Sequence, residues 1–217
     1  MVKRPFKIKE VRPRIFLFEF KNNYDLCMYF LRYQEYYESP SSKFRGKAFE
    51  IIDFMRWYVT KFGGGLFTYP DDWNGFNLPD NIIKDVWDKH ISDKNLYDYE
   101  MFQAWHECNR RAEGEKFYII GTAGTEALDH EIAHGLFYLN SEYQKKMKAL
   151  VKALAPEIRK EMNIELKRLG YTPKVYVDEA QAYMATGLTD SFEESDKWIE
   201  ERKLFQATFA LYSRKKK

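Results

Sequence analysis

Apolar residues recur at spacings of three and four along most of this chain, and short compact runs of Phe, Ile and Tyr interrupt that rhythm. Val11 to Phe20 alternates in part and is rich in Phe and Ile, which predicts a strand. A helix follows toward Tyr37, with Asn22 or Asn23 as its cap, and Ser39-Pro40-Ser41-Ser42 breaks it. The pattern predicts a second helix from about Arg45 to Phe62, stopped by Gly63-Gly64-Gly65, and a short strand over Leu66 to Tyr69. Pro70 to Pro79 reads as a loop rich in Asp, Asn and Gly. Its Trp73 and Phe76 either line a site or pin the loop to the core. Asn81 to Lys89 and Tyr97 to Ala112 read as helices.

From Gly114 the pattern changes. Lys116 to Gly121 is a compact β-type run between glycines, and Thr125 is placed to cap a helix that ends near Leu139. Strand, tight turn and helix form one coherent unit. Ser141 is the expected cap of a long amphipathic segment, which Pro156 kinks or splits and Gly170 stops. Asp178 to Ala185 and Glu193 to Tyr212 complete the predicted helices. There is no internal repeat. The expectation is an α+β fold, predominantly helical, with a small mixed or antiparallel sheet beside the helix that ends near Leu139. It divides into an N-terminal helical and strand subdomain, 1–113, and a second half, 114–217, within one compact body.

A length of 217 residues suits one domain, or a domain with a subdomain. The aromatic fraction of 18% is high, so the core must pack large rings, and buried tyrosine hydroxyls will need partners. Net charge is only +2, which points to no charged partner. The ends are basic, Lys3 to Arg14 and Arg214 to Lys217, and solvated termini are the plainer reading over a nucleic-acid or acidic-lipid contact. Cys27 and Cys108 belong to no paired motif. Two free thiols in a reducing compartment fit best, with a single disulfide as the alternative. No apolar run approaches a membrane span, and no signal-peptide core follows the basic start. The expectation is a cytoplasmic protein, or one exported by a route that leaves no classical signal.

His130-Glu131-Ile132-Ala133-His134 changes this picture most. It reads H-E-x-x-H. On a helix, residues four apart share a face, so both imidazoles can reach one metal ion. Glu131 lies close enough to take a proton from water there. The chain has four histidines, and two are used here; His90 and His106 lack any such context. A catalytic zinc site usually has three protein ligands, so a third is needed. The metzincin class is rejected, because the positions of its glycine and third histidine are Phe137 and Asn140. Cys108 has the wrong neighbours for a deformylase ligand. Glu179 is the better candidate, in a helix whose small residues Ala180 and Ala182 would let it approach the motif helix closely; Asp178 and Glu142 are rivals.

Glu179-Ala180-Gln181-Ala182-Tyr183-Met184-Ala185, read as E-A-(N/Q)-x-(F/Y)-x-A, resembles the gluzincin branch of the zincin metallopeptidases. It looks like the compact cytosolic members, including those that cut phage repressors. The resemblance covers the two motifs and the strand before the first. It implies a zincin-like catalytic half over 114–217, Zn2+ as cofactor and a peptide or protein substrate. Two departures stand out. Glu179 lies 45 residues after His134, longer than in familiar gluzincins, and Tyr183 stands where many of them carry an acid.

The implied chemistry is peptide-bond hydrolysis. His130, His134 and Glu179 are the expected zinc ligands, Glu131 the general base, and Tyr183 or Tyr138 a donor to the developing oxyanion. Phe117 to Ile120 reads equally as an edge strand that pairs with an extended substrate or as a buried central strand. Three other readings stand beside the enzyme. The motif histidines are satisfied core residues; or Glu131-x-x-His134 belongs to a di-iron bundle, which lacks its second E-x-x-H here; or the domain is a zincin-like binding module without catalysis.

Overall fold

The computed structural model describes residues 4–187 and 197–214. The chain forms two compact units, the first running to Leu128 and the second beginning at Asp129. Ten helices and one four-stranded sheet among the described residues make the protein α+β. No helix among them is long and apolar enough to cross a membrane.

The first unit is built on the sheet. Its strands are β1 (Lys7–Arg12), β2 (Ile15–Glu19), β3 (Gly75–Pro79) and β4 (Tyr118–Thr122), in the order β1-β2-β4-β3. The outer pairs run antiparallel and β2–β4 runs parallel, so the sheet is mixed. The single strand expected over Val11 to Phe20 is in fact a hairpin. Pro13 and Arg14 make its turn, with Arg14 in the left-handed region at φ 61°. β4 is central and wholly buried, and both of its sides are hydrogen bonded, to β2 and to β3. The edge-strand reading of Phe117 to Ile120 is therefore corrected: β4 has no free side for an added peptide.

The helices of this unit are α1 (Asn23–Glu38), α2 (Ile51–Lys61), α3 (Tyr69–Asp72), α4 (Asp80–Trp87) and α5 (Leu96–Arg111). Asn22 caps α1, its side chain accepting the Asp25 N–H at 2.8 Å. α2 starts later than its pattern suggests. Gly46 takes φ 73° and donates its N–H to Tyr36 O at 2.8 Å, which turns the chain before α2 can begin. The strand expected at Leu66 to Tyr69 gives way to the one-turn α3, and the supposed loop contains β3. Phe76 stacks on Phe30 at 5.5 Å, so that aromatic pins the strand to the core. Gly121 of β4 allows this packing, since a Cβ there would meet the Phe30 ring at 2.4 Å. Cys27 and Cys108 are free and buried.

The second unit is helical. It comprises α6 (Leu128–Leu139), α7 (Ser141–Ala153), α8 (Pro156–Arg168), α9 (Tyr176–Thr186) and α10 (Lys197–Tyr212). Thr125 is not the cap of α6. It closes a preceding turn, its carbonyl accepting the Leu128 N–H at 3.2 Å. Asn140, rather than Ser141, caps α7 by accepting the N–H groups of Glu142 and Tyr143 at 3.1 and 3.0 Å. Pro156 splits the amphipathic segment and becomes the first residue of α8, where its missing N–H is no loss. Gly170 follows α8 at φ 94°. α9 packs on α7, α8 and α10, with Ala180, Ala182, Met184 and Ala185 buried. Residues 193–196 of the expected last helix lie outside the described residues.

Candidate metal centre

α6 sets His130 and His134 one turn apart on one face, as their spacing requires. Their Nε2 atoms lie 3.1 Å apart. Two ring nitrogens this close have room for one proton or one cation between them. The first turn of α9 delivers Glu179, with one carboxylate oxygen 3.7 Å from His130 Nε2 and the other 3.7 Å from His134 Nε2. Those separations are too long for hydrogen bonds. They bracket, with the 3.1 Å pair, the edge of about 3.3 Å expected of a tetrahedron with bonds of about 2.0 Å. Among the described residues, His130, His134 and Glu179 are the group able to hold a metal ion.

The electrostatics favour a cation. Glu179 is 3% exposed, and its Oε2 has no hydrogen-bond partner among the described residues. A buried acceptor left so costs about 1–3 kcal/mol, more when charged. Glu131, Asp178 and Glu179 all act on His134, so three acidic groups surround two imidazoles. Burial alone would push the His134 imidazole pKa down, but Asp178, then Glu179 and Glu131, hold it well above its usual value. Burial likewise pushes the Glu179 carboxyl up, while His134, His130 and the Tyr171 hydroxyl bring it below the usual carboxylate range. A divalent ion would meet this excess of negative charge. His134 and Glu179 are sealed, whereas the His130 side chain is 18% exposed, so solvent reaches the cluster from the His130 side.

The rival ligands are placed elsewhere. Asp178 Oδ1 accepts from His134 Nδ1 at 2.9 Å, behind the imidazole and away from the shared Nε2 atoms. Glu142 is exposed at the start of α7, in an ion pair with Lys146 at 3.1 Å. The Tyr183 ring packs against His130 at a tilt, centroids 4.6 Å apart, and its hydroxyl is 3.4 Å from that of Tyr171. Tyr138 lies one turn beyond His134 on α6. In the first unit His90 is exposed, and His106 packs against Phe102 and Trp105.

Three further residues belong to this centre, and of these only Gln181 carried a sequence signal. Tyr171, set just after the Gly170 stop, touches Tyr183 and lowers the Glu179 carboxyl. Gln181 donates to Asp178 Oδ1 at 3.0 Å, and Tyr143 donates to Gln181 Oε1 at 2.8 Å. Gln181 does fall in the (N/Q) position of the α9 pattern, the one hint available. The seen contacts of α9 with α6 are those of Asp178, Glu179 and Tyr183. Comparison of the chain with protein-family models, curated proteins and solved structures gives no match, so the functional reading rests on this centre.

Proposed function

We propose that this chain is a zinc-dependent hydrolase of peptide bonds. His130 Nε2, His134 Nε2 and the Glu179 carboxylate would hold the ion. Zinc bound there supplies a Lewis acid and a water that ionises near neutral pH. Glu131 is the base. It is 5% exposed, and its charge reaches His134, Tyr171 and Tyr183. Its carboxylate takes the proton of the attacking water and returns it to the leaving amine nitrogen. Tyr183 is held protonated, first by burial and then by the Glu179 charge. Its phenol is thus a neutral donor beside His130, suited to the oxygen that becomes negative as the carbonyl is attacked. The observation that carries this reading is the buried Glu179 carboxylate, unpartnered at Oε2 and 3.7 Å from each of two converging ring nitrogens.

Two measurements test it. Zinc content and affinity come first, then cleavage of a quenched-fluorescent peptide library. Glu131→Gln should keep the zinc affinity and lose about 10²–10⁴-fold in cleavage rate. Cleavage undiminished in that variant would remove Glu131 as base. A wild-type protein that takes up no stoichiometric zinc defeats the site itself. Zinc uptake with no cleavage of any library member leaves a binding protein in place of a hydrolase.

A further inference from the structure

We infer that Tyr143, Gln181 and Asp178 form a hydrogen-bond relay that locks His134 with its proton on Nδ1, and so act as positioning residues for the metal centre. This inference rests on the proposed metal site. The relay runs from α7 through α9 to α6, wholly within the second unit. Tyr143 donates its hydroxyl to Gln181 Oε1 at 2.8 Å, Gln181 Nε2 donates to Asp178 Oδ1 at 3.0 Å, and His134 Nδ1 meets the same oxygen at 2.9 Å.

Chemistry assigns every proton in this chain. An ionised carboxylate only accepts, so the group of Gln181 that faces Asp178 is the NH2. That leaves Oε1 toward Tyr143, whose hydroxyl must then donate. Both Tyr143 and Gln181 are fully buried, so water does not offer either an alternative partner. The remaining donor to Asp178 Oδ1 is the Nδ1–H of His134. With Nδ1 keeping its proton, Nε2 is the nitrogen that would give up its own to a metal ion, and its lone pair then faces His130 and Glu179. The opposite tautomer would push an N–H into the cluster and leave Nδ1 facing a carboxylate. Partners of this kind fix the orientation and basicity of ligating histidines. The relay adds a second level of control. If Tyr143 lost its hydroxyl, the Gln181 amide would be free to flip and set oxygen against oxygen.

The variants that test this are Asp178→Ala, Asp178→Asn and Tyr143→Phe, each checked for folding by thermal unfolding. Two readouts apply: zinc affinity, by competition with a chromophoric chelator, and the downfield Nδ1–H resonance of His134 in protein labelled with 15N-histidine. Asp178→Ala should lose that resonance, with and without zinc, and bind zinc about 10- to 100-fold more weakly. Asn keeps Oδ1, which accepts both hydrogen bonds, so Asp178→Asn should keep the resonance and most of the affinity. Tyr143→Phe should fall between wild type and Asp178→Ala. The relay is overturned if Asp178→Ala keeps the resonance. It is also overturned if Asp178→Asn is as weak as Asp178→Ala, since charge alone would then explain the effect. If wild-type protein binds no zinc, the metal site fails, and the resonance in the metal-free variants still decides the relay.

Discussion

The two units each bury a charged cluster, and they complete it in opposite ways. In the first, Arg32 is 2% exposed and spends its guanidinium on Asp98 at 3.0 and 3.3 Å, Asp93 at 2.9 Å and Phe49 O at 2.5 Å. Asp98 also accepts from Tyr33 and from the Asn95 N–H in the capping box of α5. In the second, the Nε2 atoms of His130 and His134 meet at 3.1 Å, while the Glu179 carboxylate stands 3.7 Å from each and its Oε2 has no partner. Buried charge is tolerated when it is paired and hydrogen bonded. The Arg32 cluster meets that condition with the chain's own atoms and therefore reads as architecture. The histidine cluster would meet it with an added cation, which makes it the candidate site.

Separating the two experimentally gives the largest effect. Arg32→Met removes the only partner of the Asp98 carboxylate that carries positive charge among the described contacts. Breaking a buried pair from one side costs about 3–5 kcal/mol, which denaturant unfolding will register. Zinc affinity of the variant, measured where it is still folded, should match wild type. Loss of zinc binding by folded Arg32→Met would show that the clusters are not independent, and the contrast between architecture and site would fall.

The same contrast explains what could be read from sequence. His130, His134 and Glu179 were legible because helical spacing and ligand chemistry are local properties. The split at Pro156 and the stop at Gly170 were legible for the same reason. The sheet was harder. β3 hides among Asp, Asn and Gly, because its strand character comes from pairing Gly75 with Thr122 and Phe76 with Gly121, far away in the chain. The β1–β2 hairpin hides because its turn uses Arg14 with positive φ, where glycine or asparagine would have signalled it. Asp178 shows the limit within the site. Sequence offered it as a ligand, and only the tertiary structure shows that it meets Nδ1 of His134 instead of the Nε2 that faces His130 and Glu179. Tyr143 and Gln181 belong to the centre through partners 38 residues apart, and no local pattern encodes that.

Glu35 sharpens the comparison, because it too is a buried carboxylate with an unpartnered Oε2. Its other oxygen accepts from the Tyr69 hydroxyl at 2.7 Å, and no imidazole counters its charge. Burial therefore raises its carboxyl from 4.5 to about 7, whereas the histidines lower that of Glu179. An unpartnered oxygen alone does not mark a candidate metal site; at Glu179 two converging ring nitrogens accompany it. The sign of the linkage follows. Below about pH 4.5 Glu35 is protonated in both folded and unfolded chains, and its contribution is fully present. As pH rises from about 4.5 to about 7, the unfolded chain ionises this carboxyl while the folded protein keeps it protonated, so stability falls by about 3 kcal/mol and levels off once the folded group ionises too. Glu35→Gln should remove that part of the slope in urea midpoints taken from pH 5 to 8. An unchanged slope would mean that Glu35 is ionised throughout.

The smallest effect compares two caps of the same chemistry. Asn22 opens α1, the helix of Arg32, and Asn140 opens α7, the helix of Tyr143. Replacing either by Ala should cost about 1 kcal/mol of stability, since each loses acceptance of backbone N–H groups at a helix start. Their consequences for the metal centre should differ. Asn140 Oδ1 accepts the Tyr143 N–H at 3.0 Å, so it sets the residue at the head of the relay, while Asn22 Oδ1 accepts the Asp25 N–H, which has no link to the histidines. Asn140→Ala should weaken zinc binding slightly, by less than Tyr143→Phe does, and Asn22→Ala should leave it unchanged at equal loss of stability. If both caps weaken zinc binding alike, the effect tracks global stability and not the relay, because the only property the two variants share is the helix end they loosen.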